Sequence, residues 1–259
     1  MIFADTHTHL FLKEFNPDRD RVIQTALDNG VKYFFLPNID SEHFMAMLCL
    51  CVSYPHHCFP MMGLHPTSIK ENWEEELEIV ADMLAEPKLN FYGLGEIGID
   101  LYWDRTFERE QLSAFSYQLD LAVRYKLPAV IHTRNSFDVA IKIIEEKNNP
   151  LLKGIFHCFG GSVEQAGKAI DLGFKLGIGG IITYKNSGLQ KVVKMIGLEH
   201  FVLETDSPYL PPVPHRGERN ESAYIPLIAA KIAESKNIST EEVAEVTTKN
   251  ALTLFNVKS

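Results

Sequence analysis

Cysteine is scarce in this chain, with four in 259 residues, and Cys49, Cys51, Cys58 and Cys158 include no CxxC pair. That scarcity argues against a zinc knuckle or a disulfide framework and predicts reduced, buried thiols in a cytosolic protein. No apolar run approaches the length of a membrane span. The opening MIFADTHTHL lacks the basic segment of a secretory signal and turns polar too early. The expected location is therefore cytoplasmic, with no membrane association. Positive charge is also in short supply: 25 Lys and Arg against 34 Asp and Glu give a net charge of −9. Such a chain does not track a long duplex by neutralising many phosphates, but a local pocket that grips one or two is compatible with it. A Gly-rich phosphate loop after the first apolar run is missing too, which disfavours an open dinucleotide-binding sheet. With no linker, internal repeat or low-complexity segment, residues 1–259 read as one domain.

What the chain does have is an alternation of short apolar runs with longer amphipathic ones, in eight rounds. The runs are Ile2–His7, Val31–Pro37, Cys58–Leu64, Asn90–Glu96, Pro128–His132, Gly154–His157, Phe174–Ile178 and Phe201–Asp206. Between them lie helical patterns at Asp18–Asp28, Ser41–Ser53, Trp73–Leu84, Phe107–Tyr125, Phe137–Glu146, Val163–Leu172 and Leu189–Ile196. Two more follow the last run, Tyr224–Lys236 and Glu241–Leu254, the second opening on a capping box at Ser239–Glu242. Asn29-Gly30, Leu172-Gly173 and Ile196-Gly197 read as helix stops with glycine in the left-handed position. Strands buried on both faces and alternating with helices pair in parallel. The pattern thus predicts an α/β fold, a closed (β/α)8 TIM barrel with an additional C-terminal helix. Pro208–Glu221 reads as a long loop after the eighth strand.

Reacting groups in such a barrel sit at the C-terminal ends of the strands. Asp5, His7 and His9 stand two residues apart in the first run. Strand geometry would turn both imidazoles to one side, with Asp5 beneath them as the acceptor that fixes their tautomers. His65 lies just past the third run, while Glu96, His132, His157 and Asp206 end the fourth, fifth, sixth and eighth. Any one of these alone reads as a hydrogen-bonded polar residue at a strand end, while His43, His56, His57, His200 and His215 fall in helices or loops and are given no part in a site. Several imidazoles and carboxylates gathered on one rim need a cation to offset their desolvation, so a metal centre is the economical account.

The motifs DTHTHL, GLHP (Gly63–Pro66), GEIGID (Gly95–Asp100), HTR (His132–Arg134), HCFGG (His157–Gly161), GIGGIITY (Gly177–Tyr184) and ETDSP (Glu204–Pro208) together resemble the TatD family of metal-dependent deoxyribonucleases, within the amidohydrolase superfamily. The resemblance runs through practically the whole chain in order. It implies a metallo-dependent-hydrolase barrel carrying two divalent metal ions (Mg2+, Mn2+ or Zn2+). His7, His9, Glu96 and Asp206 would hold one ion, and Glu96, His132 and His157 the other, with Glu96 bridging. Some relatives in the superfamily bridge with a carbamylated lysine; Leu89–Asp100 contains no lysine, in agreement with Glu96 in that role. The chemistry implied is metal-assisted hydrolysis, with Asp206 as both ligand and general base. Glu204 fits a buried acceptor behind the ligands. His65, Arg134, Arg216 and Asn220 are candidates to hold a substrate phosphate, whereas Arg219 reads as a surface arginine. Ser222 stands where the family usually has proline. Asp100 reads as a turn-former, and Tyr102 and Trp103 either stack on a base or pack their loop against the barrel.

The leading expectation is a phosphodiesterase that cleaves DNA, a 3′→5′ exonuclease acting on single-stranded ends, with no obligate protein partner. Hydrolysis of another ester or amide, such as an aminoacyl ester on tRNA, uses the same ligands and stays open. A non-catalytic barrel would be marked by broken ligands, and none of the six is broken.

Overall fold

Each short apolar run becomes a strand because the chain can bury it on both faces. The computed structural model describes residues 1–258. Its strands are β1 (Phe3–Asp5), β2 (Val31–Pro37), β3 (Cys58–Met62), β4 (Gly93–Asp100), β5 (Ala129–Arg134), β6 (Gly154–Phe156), β7 (Phe174–Ile178) and β8 (Phe201–Leu203). They form one parallel sheet in sequence order. The helices are α1 (Arg19–Asp28), α2 (Ser41–Ser53), α3 (Trp73–Ala85), α4 (Glu108–Tyr125), α5 (Phe137–Lys147), α6 (Val163–Asp171), α7 (Leu189–Met195), α8 (Ile225–Lys236) and α9 (Thr240–Leu254). The sheet rolls up into the expected (β/α)8 barrel. No helix among the described residues is long and apolar enough to cross a membrane.

Successive strand residues point to opposite sides, and the burial divides accordingly. Ala4, Phe35, Phe59, Val130, Ile155 and Val202 pack together inside the barrel with Leu254 and Phe255, the end of the extra C-terminal helix. Phe255 stacks on Phe35 with ring centroids 4.1 Å apart, closing the end of the barrel away from the candidate site. Phe3, Phe34, Leu36, Ile131, Phe156 and Leu203 belong to the second core, between barrel and helices.

The closing seam between β1 and β8 is made mainly beyond the regular strands. Thr6 N donates to Leu203 O (2.9 Å), Asp206 N to His7 O (2.9 Å) and His9 N to Ser207 O (2.8 Å). Three local readings are corrected. The fourth strand starts later than Asn90 and runs past Glu96 to Asp100, because Ile97–Asp100 pair with Ile131–Arg134. Gly197 is not left-handed, having φ −65° and opening a 3-10 turn instead, although Gly30 and Gly173 both sit at φ +86°. The box expected at Ser239 is half made, with the serine hydroxyl accepting from Glu242 N. A full one occurs unforeseen at Ser162 and Gln165, before α6.

Candidate metal centre

From the interior residues of three strands, an even number of residues along the chain reaches the mouth: Val130 leads to His132, Ile155 to His157, and Val202 through Glu204 to Asp206. Glu96 needs more. The register of β4 on β5 shifts between Leu94 and Ile97, and such a bulge re-aims a side chain. Gly98 follows at φ +141°, where an added Cβ would lie 2.0 Å from His132 O, so only glycine lets the two strands meet there. The imidazoles of β1 also arrive by a break in alternation. Ala4 faces the interior, the strand ends at Asp5, and a bend at Thr6–His7 turns His7 inward.

Glu96 is the centre of the resulting cluster and is 2% exposed. Its Oε2 lies 3.0 Å from His7 Nε2 and 3.6 Å from His9 Nε2. Its Oε1 lies 2.9 Å from His132 Nδ1, 3.2 Å from His157 Nε2 and 3.2 Å from His65 Nε2. Asp206 Oδ1 stands 3.5 Å from His9 Nε2 and 3.8 Å from His7 Nε2. One carboxylate oxygen thus faces each of two imidazole sets, with Asp206 on the His7–His9 side. His65, expected among the substrate contacts, packs into the cluster beside Glu96 and His132. Asp206 and Cys158 both take left-handed backbone, φ +58° and +47°, a strained conformation that functional sites tolerate.

The residues behind the cluster differ from the expectation in one respect. Asp5 accepts from Thr205 N (2.9 Å) and Thr205 Oγ1 (2.6 Å) and does not touch either imidazole ring. Pointing away from the interior, it fastens the seam instead of fixing a tautomer. Burial raises its carboxyl to about 7, against the lowering effect of Thr205. Ser222 joins this seam, since its Oγ lies 3.3 Å from Thr8 Oγ1, and Thr8 Oγ1 lies 2.6 Å from Ser207 Oγ. Glu204 is fully buried and accepts from Cys158 N, with Oε1 3.2 Å from His157 Nδ1. Gly177 makes room for it, because a Cβ there would lie 2.1 Å from Glu204 Oε2. Asp100 has two tasks: Oδ1 accepts from Tyr102 N and Trp103 N, the turn expected, and Oδ2 lies 3.1 Å from His132 Nε2.

The donor set fits divalent cations. His7 Nε2 and His9 Nε2 stand 3.2 Å apart, too close for two protons to share comfortably. The buried Nδ1 atoms of His7, His9 and His157 have no hydrogen-bond partner among the described residues, Glu204 approaching the last at ion-pair distance only. Burial pushes the Glu96 carboxyl up, yet the facing imidazoles of His65, His157 and His7 outweigh it and hold it well below the usual range. The reverse holds for His157, where burial lowers the imidazole but Glu96 and Glu204 lift it well above its ordinary value. Mixed imidazole and carboxylate donors packed this closely suit a first-row or magnesium-type ion. Three ligand groups, each with donor atoms within 4.8 Å of one another, share these residues: His7–His157–Asp206, His7–His9–Glu96 and His65–Glu96–His132.

A cavity of about 730 Å³ opens on the cluster, lined by His9, Glu96, Arg134, Cys158, Ile181 and Tyr209 among others. The Arg134 guanidinium lies over the exposed rings of Tyr102 (4.1 Å) and Trp103 (4.9 Å) at its rim. Arg216 is exposed and stacks on Tyr184 at 4.4 Å, outside the residues that line this cavity. Asn220 is wholly buried; its Nδ2 donates to Thr205 O and Tyr209 O and its Oδ1 accepts from Glu221 N. With both ends of the amide engaged in its own loop, Asn220 is corrected from a substrate contact to a loop fastener. Arg219 is tied to Asp18 and Glu221, as a structural arginine would be. Of the thiols, Cys51 and Cys58 are buried, Cys158 is partly so, and Cys49 is exposed, against the expectation for it.

Residues 4–256 match the family model described as TatD related DNase. An "Uncharacterized metal-dependent hydrolase YabD" of Bacillus subtilis is 34% identical over 258 residues, covering 99% of this chain and 100% of that protein. A "Putative deoxyribonuclease tatdn3" of Danio rerio is 32% identical over 263 residues, covering 98% and 97%. The crystal structure of the TatD homologue YjjV of Escherichia coli superposes with a TM-score of 0.93 at 31% identity, covering 99% of this chain and 98% of that one. With one family model spanning nearly every residue, and full-length relatives that keep the same barrel, the chain belongs to the TatD family of metal-dependent hydrolases.

Proposed function

We propose that this hydrolase is a phosphodiesterase that removes nucleotides from single-stranded DNA ends in the 3′→5′ direction, with two divalent ions (Mg2+, Mn2+ or Zn2+) in its mouth. The observation that carries the reading is the split of Glu96, one oxygen toward His7 and His9 and the other toward His132, His157 and His65. His7, His9, Glu96 and Asp206 would hold one ion, and Glu96, His132 and His157 the second. Bound cations supply Lewis acidity, which makes water a better nucleophile near neutral pH and offsets charge on a phosphoryl group.

The chain's own residues do the rest. Asp206 is the acid group at the cluster with 15% of its side chain open to the cavity, so it can take a proton from an attacking water and remain within reach of His9. Glu204 and Asp100 orient His157 and His132 from behind. Arg134 places a fixed positive charge at the rim, where a phosphodiester enters. Its stacking on two aromatic rings leaves the N–H edge free for bidentate contact.

End-labelled single-stranded DNA, incubated with the chelated protein and then with each ion in turn, tests this. Cleavage should require the ion and release mononucleotides from the 3′ end. Asp206→Asn should lower kcat roughly 10²–10⁴-fold. No ion-dependent cleavage, or an Asp206→Asn rate equal to wild type, overturns the reading.

A further inference from the structure

A second, smaller cavity of about 290 Å³ lies beside the main one, lined by Pro66, Ile69, Lys70, Trp103, Phe107 and Gln111 among others. Trp103, Asp100 and Thr67 line both cavities, so the two compartments share a wall. Trp103 is 68% exposed, an unusual position for an indole that merely packed its loop. The smaller compartment is apolar on the sides given by Ile69, Phe107 and Trp103. It is also lined by the cation Lys70, whose Nζ lies 5.7 Å from the Phe107 ring centroid, and by Asp104, whose carboxyl Lys70 helps to hold low.

Gln111 supplies the polar group. It is 4% exposed, and its Oε1 accepts from Asp100 N at 2.9 Å. Among the described residues nothing accepts a hydrogen bond from its Nε2. That nitrogen is not fully enclosed and keeps an accessible face, so it can donate to a group that enters the cavity. Here it belongs to a cavity whose aromatic and aliphatic walls are interrupted by Thr67, Lys70, Asp100 and Asp104. That combination suits a planar ring bearing a carbonyl or ring-nitrogen acceptor. An apolar cavity of roughly 150 Å³ already accepts benzene, so this one admits a larger ring.

We propose that this side compartment receives the base of the nucleotide adjoining the scissile phosphate, with Trp103 as the stacking wall and Gln111 Nε2 as the donor to the base edge. The inference rests on the nuclease reading above and adds where the strand lies. The reacting phosphodiester sits in the main cavity under Arg134, and the chain turns over Trp103 so that its next base enters beside Phe107, with Lys70 near the following phosphate. Because every base has a π-face, the wall favours single strands with little sequence preference.

The test uses two short single-stranded oligonucleotides that differ at one place, a thymidine or an abasic residue at the nucleotide adjoining the first scissile bond. For wild type with Mn2+ or Mg2+, loss of that base should raise KM about tenfold with little change in kcat, the scale expected for one base stacked on an aromatic ring. Trp103→Ala should raise KM for the thymidine substrate by a similar factor, and the two substrates should then be nearly equivalent. Gln111→Leu, which keeps the cavity filled, should give a smaller change in the same direction. Equal KM for both substrates on wild type overturns the compartment and leaves the nuclease reading standing. So does a Trp103→Ala loss that is the same on both, since the indole would then act on something other than the base. If wild type cleaves neither substrate with any ion, the nuclease reading falls and the compartment falls with it.

Discussion

Asp5 shows how one residue can be read correctly as buried and still be given the wrong task. Regular alternation would have set it beneath His7 and His9, but the strand ends there and the chain bends at Thr6–His7. Its carboxylate instead holds Thr205 N and Thr205 Oγ1 across the seam. Asp5→Ala would leave both donors buried and unpaired, at a cost of about 2–5 kcal/mol in unfolding free energy. Urea denaturation of the variant with divalent ion present would measure that loss. An unchanged midpoint would mean that water replaces the carboxylate at the seam. The residues of the cluster are easier to read. His132, His157 and Asp206 each lie an even number of residues beyond an interior apolar position, so the hydrophobic pattern already aims them. Glu96 and His7 are legible at the mouth as polar ends of apolar runs, but not how they come to face inward, because a register shift and a bend are invisible to periodicity. His65 was legible as a polar residue past β3, but not as a neighbour of Glu96, since that proximity depends on how far two strands stagger.

Among the elements, the long loop after β8 has the most to hold in place, because it follows directly on Asp206. Its proline-rich composition correctly excluded regular structure across Pro208–Glu221, but it gave no hint of what anchors it. The anchor is Arg219, whose guanidinium meets both Asp18 oxygens at 2.8 and 2.9 Å, meets Glu221 at 2.8 Å and lies over the Phe15 ring at 4.7 Å. The loop is thereby tied to the start of α1. Hydrogen bonding from Arg219 is the main reason that the Asp18 carboxyl falls from 3.8 to about 2. A carboxyl depressed on folding contributes stability above its unfolded value and loses it as pH falls through the folded one. The tie is therefore whole above about pH 5 and is lost progressively as the pH falls through about 4 towards 2. Arg219→Ala should lower the urea midpoint modestly at pH 7, and its gap from wild type should narrow steadily as the pH is taken down from 5 towards 3. A gap that stays constant over that range would show that the arginine contributes through its stacking on Phe15, not through Asp18. Helix stops teach the same limit from the other side. Gly30 and Gly173 end their helices as the sequence indicates, while Gly197 is taken over by the short turn that feeds β8.

At the scale of the whole molecule, the barrel's two ends are held by different physics. One end is filled by Phe35, Phe59, Leu254 and Phe255, a dry contact that draws on the hydrophobic effect alone. The other end gathers His7, His9, Glu96, His132, His157 and Asp206 from five different strands or their extensions, and a cation bound there would join parts of the chain up to 199 positions apart. A ligand that binds only the folded state stabilises it by mass action, about 2.7 kcal/mol at a hundred times its dissociation constant. For a chain of this length each kcal/mol moves the melting temperature by roughly 2–4 °C. Adding Mn2+ or Zn2+ to chelated protein should therefore raise Tm by about 5–10 °C at saturating ion. The same titration on Glu96→Gln should give much less, because the neutral amide cannot offset charge on both sides at once. The distinction matters for what the cluster is. If wild type and Glu96→Gln melt alike with and without ion, the six side chains are a hydrogen-bonded plug at the mouth, and the strands are stitched there by the seam bonds of Thr6, His9 and Asp206 and by the Asp5–Thr205 contact, without a cation.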